Sequence, residues 1–228
     1  MQEKGQAFGR GPCRMQNRDI IVVGASAGGV EALRALASRL PPDLPASVFV
    51  VLHLSAGMPS ELASVLSRSG PLPAHEAITG QMFEPGRIYV APPDRHLILE
   101  NSHMRLWRGP KENRHRPAIN VLFRSAAVAY GPRVIGIVLS GILDDGTTGL
   151  WWIKRHGGVA IVQDPADAIF PDMIYSALEH VQVDHIVTME GIGGLLANIV
   201  DRRGNQSLHP ARANQAEEAG RKWRPSEQ

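Results

Sequence analysis

The 228-residue chain has a single cysteine, Cys13. One thiol cannot form an intrachain disulfide, and that fits a reducing compartment. No histidine lies near Cys13 at a zinc-binding spacing, so it reads as an incidental exposed thiol. Also missing is any apolar run near the roughly 20 residues that a membrane span requires. The N-terminus lacks the apolar segment of a secretory signal. Neither charge sign dominates, with 24 Lys and Arg against 22 Asp and Glu. No basic stripe alternates with aromatic residues, so nucleic acid is not the favoured partner. These absences point to a cytoplasmic protein without membrane insertion. The length suits one domain of about 100–200 residues with loose ends.

The ends carry no apolar periodicity. Residues 1–17 and 204–228 are polar and read as disordered segments flanking one domain over 18–203. Between them, strands alternate with helices. Ile20–Ala25, Ser47–Leu54 and Arg133–Ser140 are continuous apolar runs, the mark of strands buried on both faces. Val159–Gln163 and His185–Met189 read as two further strands. Helical stripes fill the intervals: Gly28–Leu40, Pro59–Ser67, Ala118–Ala129, Thr148–His156, Ile174–His180 and Ile192–Val200. The middle differs. Gly86–Ala91, His96–Glu100 and Met104–Trp107 read as short strands of an antiparallel insertion. The expectation is an α/β fold: a doubly wound, mostly parallel sheet with helices on both faces and an antiparallel hairpin insertion. Ligands of such folds sit at the carboxyl ends of the strands.

Three strand ends carry chemistry. After the first comes Gly24-Ala25-Ser26-Ala27-Gly28-Gly29. A dinucleotide fingerprint needs glycine where Ser26 stands, and no acidic residue closes the second strand to hold a ribose. No Gly-Lys-Ser/Thr follows, so this is not a Walker loop. The turn does match G-x-S-x-G, which presents a serine hydroxyl on a sharp strand-to-helix turn. A helix N-cap is an equally good reading of that serine. After the second strand comes His53, either a structural residue or an imidazole within reach of Ser26. After the Arg133 strand comes Ser140-Gly-Ile-Leu-Asp-Asp-Gly146, whose Asp144 and Asp145 suit a turn, an N-cap or a functional carboxylate. A carboxylate pair could also take Mg²⁺, but no acidic residue at a neighbouring strand end completes such a site. No metal and no cofactor is expected. Serine, histidine and one aspartate at neighbouring strand ends are the groups that acyl transfer needs. Their chain order, Ser-His-Asp, differs from the α/β-hydrolase order.

From Arg18 to Val200 the chain resembles the catalytic domain of the bacterial chemotaxis protein-glutamate methylesterases, the CheB family. The family's I-G-A-S-T-G-G appears as Val23-Gly-Ala-Ser-Ala-Gly-Gly29, its Q-H as Leu52-His53, and its T-G-M-G-x-D-G as Ser140–Gly146. The stretches Tyr89–Glu100 and Val162–Met173 add to the likeness. The resemblance implies catalytic Ser26, His53 and Asp145, the last chosen over Asp144. It implies an oxyanion donor in the backbone N–H of Ile142, and a substrate-facing His96. The family hydrolyses glutamate methyl esters on the cytoplasmic domain of methyl-accepting chemoreceptors and deamidates receptor glutamines at the same site.

Departures from the family pattern bear on rate and substrate choice. Ala27 replaces a threonine beside the nucleophile and could face substrate. Leu52 replaces a glutamine. Leu143 replaces a glycine, and a positive φ there would carry strain of about 1–3 kcal/mol. Only ~18 residues precede the first strand, too few for the receiver domain of full-length members at the usual domain size. An isolated esterase module is therefore expected: constitutive, answering to a separate response regulator, or cut from a longer chain. The competing readings are a Rossmann-like nucleotide-binding module without esterase activity, and a non-catalytic interaction domain.

Overall fold

A computed structural model of the chain describes residues 17–53 and 60–200. The expected disordered ends, 1–17 and 204–228, lie almost wholly outside those residues. Among them, seven strands form one parallel sheet: β1 (Ile20–Ala25), β2 (Ser47–Leu52), β3 (Ala74–Glu76), β4 (Ile88–Val90), β7 (Val134–Val138), β8 (Val159–Gln163) and β9 (His185–Val187). Their order is β3-β4-β2-β1-β7-β8-β9. Two more strands, β5 (His96–Glu100) and β6 (His103–Trp107), pair with each other, antiparallel, and form a separate two-stranded sheet.

The central strands β1 and β7 are apolar throughout, and β2 and β8 nearly so, because both faces are covered. Ile21, Val23 and Ala25 of β1 join a core with α1 (Gly29–Arg39), α2 (Leu62–Ser69) and α6 (Ile192–Val200). Ile20 and Val22 point the other way. They pack with α3 (Ile119–Tyr130), α4 (Thr147–Arg155), α5 (Asp172–His180) and the hairpin residues Leu97, Leu99 and Met104. Side chains alternate in direction along a strand, so a two-sided cover demands an unbroken apolar run. The doubly wound α/β fold with a separate hairpin is as expected.

The insertion is smaller than expected. Ile88–Val90 does not belong to it: β4 pairs in parallel with β2 on one side and β3 on the other. All three of its residues are buried, which suits a sheet interior. Pro92 and Pro93 follow after Ala91, and proline cannot donate to a ladder. The chain therefore leaves the sheet there, before the hairpin. Strand β3 was not foreseen. It has three residues, of which only Ala74 is buried, too few to show a period. Strands β7 and β9 also end earlier than expected, because the chain beyond Val138 and Val187 turns into loops.

Strand β1 lies at the switch point. The chain runs out from it through β2 to one edge, then returns to β7 on its other side. A crevice opens where loops leave a sheet in opposite directions.

Candidate active site

The sheet register brings the first two groups together. Ala25 pairs with Leu52 across β1 and β2, so the next residues, Ser26 and His53, leave neighbouring strands at one level. On the other side Gly24 pairs with Val138. The Ser26 N–H then donates to Ser140 O at 2.9 Å, which brings the loop after β7 beside the serine. Gly141 follows within that loop. A Cβ there would stand 2.9 Å from Ser26 Cβ and 2.1 Å from Met173 Sδ, so only glycine lets the two turns approach this closely.

Ser26 does not cap α1. The capping position is Gly28, with φ +69° and no side-chain cap bond. Ser26 Oγ instead lies 3.1 Å from His53 Nδ1. His53 Nε2 lies 2.8 Å from Asp145 Oδ2. The His53 and Asp145 side chains are only 5% and 3% exposed. An ionised carboxylate only accepts hydrogen bonds, so Asp145 selects the tautomer with hydrogen on Nε2. That leaves the Nδ1 lone pair free to accept the Ser26 hydroxyl proton.

Asp145 is held by more than the histidine. Its Oδ2 also accepts the Ile119 N–H at 2.7 Å, and Oδ1 accepts the N–H groups of Asn120 and Gly146 at 3.2 and 3.0 Å. Helix α3 has no side-chain cap of its own at Ala118; Asp145 supplies one from another loop. Burial pushes the Asp145 carboxyl up. The bond and charge of His53 and the N–H groups of Ile119 and Asn120 outweigh it, and hold the carboxyl below the ordinary carboxylate range. Asp144 is exposed and turned into a separate pocket beside Thr147, Thr148, Trp151 and Ser176. Of the two aspartates, the structure brings Asp145 alone to His53.

The remaining candidates divide. Ile142 sits on the Ser140–Gly146 loop, 46% exposed. Among the described residues its N–H and that of Ala27 have no intramolecular acceptor. Leu143 adopts φ +67°, the left-handed conformation on which the expectation of strain depended. His96 does not face substrate. It is fully buried, with Nε2 2.9 Å from Pro110 O and Nδ1 accepting the Ala118 N–H at 3.2 Å. Both ring nitrogens are occupied, so the ring has nothing left for a ligand. Two residues were missed. His115 lies flat on His53, with ring centroids 3.6 Å apart and planes within 3°. Asn113 Nδ2 donates to Asp145 Oδ1 at 3.2 Å. Their segment, Asn113-Arg114-His115, carries no apolar period, so only its density of polar side chains marked it. No group of three or more His, Cys, Asp or Glu side chains gathers as a metal cluster among the described residues.

The family model for CheB methylesterase matches residues 21–196. The chain belongs to the CheB methylesterase family. A protein-glutamate methylesterase/protein-glutamine glutaminase of Anaeromyxobacter dehalogenans is 38% identical over 181 residues, covering 79% of this chain and 53% of that protein. A putative one of Leptospira interrogans is 35% identical over 184 residues, covering 80% of this chain and 95% of that one. The crystal structure of the Thermotoga maritima CheB methylesterase catalytic domain matches with a TM-score of 0.77 at 32% identity, over 80% of this chain and 98% of that one. The chain thus spans about half the length of the Anaeromyxobacter relative and nearly all of the Leptospira one. Membership of the CheB family, with a serine where the fingerprint glycine would stand, tells against the nucleotide-binding alternative.

Proposed function

We propose that the chain is a serine hydrolase that removes methyl esters from glutamate side chains of chemoreceptors in the cytoplasm. The observation that carries this reading is the continuous chain of contacts Ser26 Oγ–His53 Nδ1–His53 Nε2–Asp145 Oδ2, at 3.1 and 2.8 Å. Ser26 Oγ attacks the γ-carbonyl carbon as its proton passes to His53 Nδ1. The negative charge of the tetrahedral intermediate falls on the former carbonyl oxygen. The N–H groups of Ile142 and Ala27 supply the oxyanion donors. Asp145 stabilises the imidazolium. Collapse expels methanol, which takes the proton from His53. Water then attacks the acyl-enzyme with His53 as base, releasing a glutamate carboxylate and restoring Ser26. A glutamine amide in the same site would leave as ammonia, the deamidation named for the relatives.

The substrate is a side chain on a protein, and the rim of the site suits that. Ile142, Leu143, Ile169 and Phe170 are all exposed, and the last two lie against Gly28 of the serine turn. An apolar rim around a polar centre fits a protein surface better than a free amino acid. Among the described residues no helix is long and apolar enough to cross a membrane. A separate response regulator is the proposed source of control.

The test is methanol release from a methylated chemoreceptor cytoplasmic fragment, comparing the chain with Ser26→Ala. Loss of a triad member costs on the order of 10³–10⁶ in turnover. A Ser26→Ala protein that keeps more than about half the rate would remove the nucleophile from the mechanism.

A further inference from the structure

The segment from Pro110 to Ala118 crosses over the triad and is fastened at both ends by one buried residue. His96 accepts the Ala118 N–H through Nδ1 and donates to Pro110 O through Nε2. Between these points the chain closes on itself: Glu112 and His115 exchange N–H···O bonds at 3.1 and 2.9 Å. Asn113 and Arg114 at the tip have φ +48° and +68°, the two left-handed positions of a tight hairpin turn. Glu112 is anchored by both terminal guanidinium nitrogens of Arg124, which donate to its two carboxylate oxygens at 2.9 Å each. Arg116 pairs with Asp94 and donates to Gly109 O at 2.6 Å. A non-glycine turn in this conformation persists where its surroundings over-determine it, and such sites cluster around function.

The strap delivers two side chains to the triad. His115 covers one face of the His53 ring, and Asn113 takes the Asp145 oxygen that His53 leaves free. Resting on the esterase reading, we propose that His115 and Asn113 are positioning residues: the strap holds the His53 ring plane and the Asp145 carboxylate plane in register for proton transfer. In-plane bonds to Ser26 and Asp145 restrain the ring at its edges but not against tilting. A second ring parallel to it at 3.6 Å blocks tilting and keeps water off that face. A neutral cover is needed, since a charged one would oppose the imidazolium formed in the reaction. Burial, then the charges of His53, Lys111 and Arg114, disfavour a charge on His115 and outweigh Asp145, which favours it; the imidazole is held below the ordinary range.

The experiment compares His115→Ala, His115→Phe and Asn113→Ala in the full chain, with Ser26→Ala alongside. Methanol release from the methylated receptor fragment gives kcat and KM. Proton NMR of the downfield signal of the His53–Asp145 hydrogen bond gives a readout free of turnover. His115→Ala should lower kcat by about 10–100-fold, with KM changed less than about threefold, as expected of misplaced reacting groups. His115→Phe, which restores a flat ring, should recover kcat to within about fivefold. Asn113→Ala should cost about tenfold through the carboxylate it supports. The downfield signal should survive in the Phe variant and broaden away in the Ala variant. An Ala variant with unchanged kcat and an intact signal overturns the proposal, as does a Phe variant that falls as far as Ala. If neither His115 variant folds, Asn113→Ala decides, because that residue is exposed; wild-type kcat there overturns the strap. An active Ser26→Ala would instead defeat the esterase reading, and the NMR comparison would still judge the strap.

Discussion

One oxygen of Asp145 does two jobs: Oδ2 stands 2.8 Å from His53 Nε2 and 2.7 Å from the Ile119 N–H. The carboxylate that orients the histidine is thus also the cap of helix α3. A helix N-terminus favours negative charge there. Substituting the residue should therefore disturb chemistry and folding together, which separates it from its neighbour Asp144.

Asp145→Asn should lower turnover by about 10⁴, because an amide supports the wrong imidazole tautomer. It should also cost about 1–3 kcal/mol of stability, since buried partners lose a charged acceptor. Asp144→Asn, on an exposed side chain, should change stability within about 0.5 kcal/mol and leave most activity. Steady-state kinetics and urea unfolding on both variants check this. Equal losses in the two would assign the wrong aspartate.

The lowered Asp145 carboxyl makes a prediction about acid. A group whose folded value lies below its unfolded one, near 3.9 for aspartate, contributes stability that is full above the unfolded value. That contribution disappears as pH falls through the depressed folded value. As pH falls below about 4 the stability gap between wild type and Asp145→Asn should therefore narrow. Unfolding midpoints in urea across that range are the measurement. A gap that widens as pH falls would mean that burial, which raises the carboxyl, outweighs the histidine and the helix.

The parallel sheet was legible because its physics is written in runs: strands covered on both faces must be apolar almost throughout, as β1 and β7 are, and as β2 and β8 are apart from Ser47 and Gln163 at their ends. Asp145 could not be told from Asp144 by spacing, since both lie in one turn; family resemblance chose between them, and it is Asp145 that lies 2.8 Å from His53. What stayed hidden depends on long-range partners. His96 looks like any polar residue opening a hairpin strand, and nothing local says that Pro110 and Ala118 will close around it. The His115–His53 stack joins residues far apart in sequence. No periodicity encodes such a meeting. Strand β4 was misplaced for a different reason, since three apolar residues fit an antiparallel strand and a parallel one equally well.

Leu143 offers a test of strain. Its φ of +67° is a conformation that costs a non-glycine residue about 1–3 kcal/mol, and its side chain is 54% exposed, so little packing offsets that cost. Leu143→Gly removes the strain but frees the unfolded chain, a loss of about 0.4–1 kcal/mol. The net expectation is a gain of about 1 kcal/mol, or a Tm higher by about 2–4 °C for a domain of this size. Differential scanning calorimetry on the two proteins decides. A lower Tm would show that the leucine side chain contributes more than its backbone costs.

Metal dependence separates the serine mechanism from its strongest rival. In the proposed acyl transfer, His53 would take the proton and backbone N–H groups would hold the oxyanion, so no step would call for a cation. The Asp144–Asp145 turn is where a rival would have to act, by holding a divalent ion that activates water. Asp145 is poorly placed for that: its oxygens already accept five hydrogen bonds, from His53, Asn113, Ile119, Asn120 and Gly146. An ion there would have to displace the histidine or uncap helix α3. Methanol release should accordingly be unchanged, within about twofold, after dialysis against excess EDTA, and Mg²⁺ or Zn²⁺ should not raise it. Turnover lost to EDTA and restored by either ion would transfer the chemistry from Ser26 to a metal-bound water, and His53 would then have to be reread as its base or its ligand.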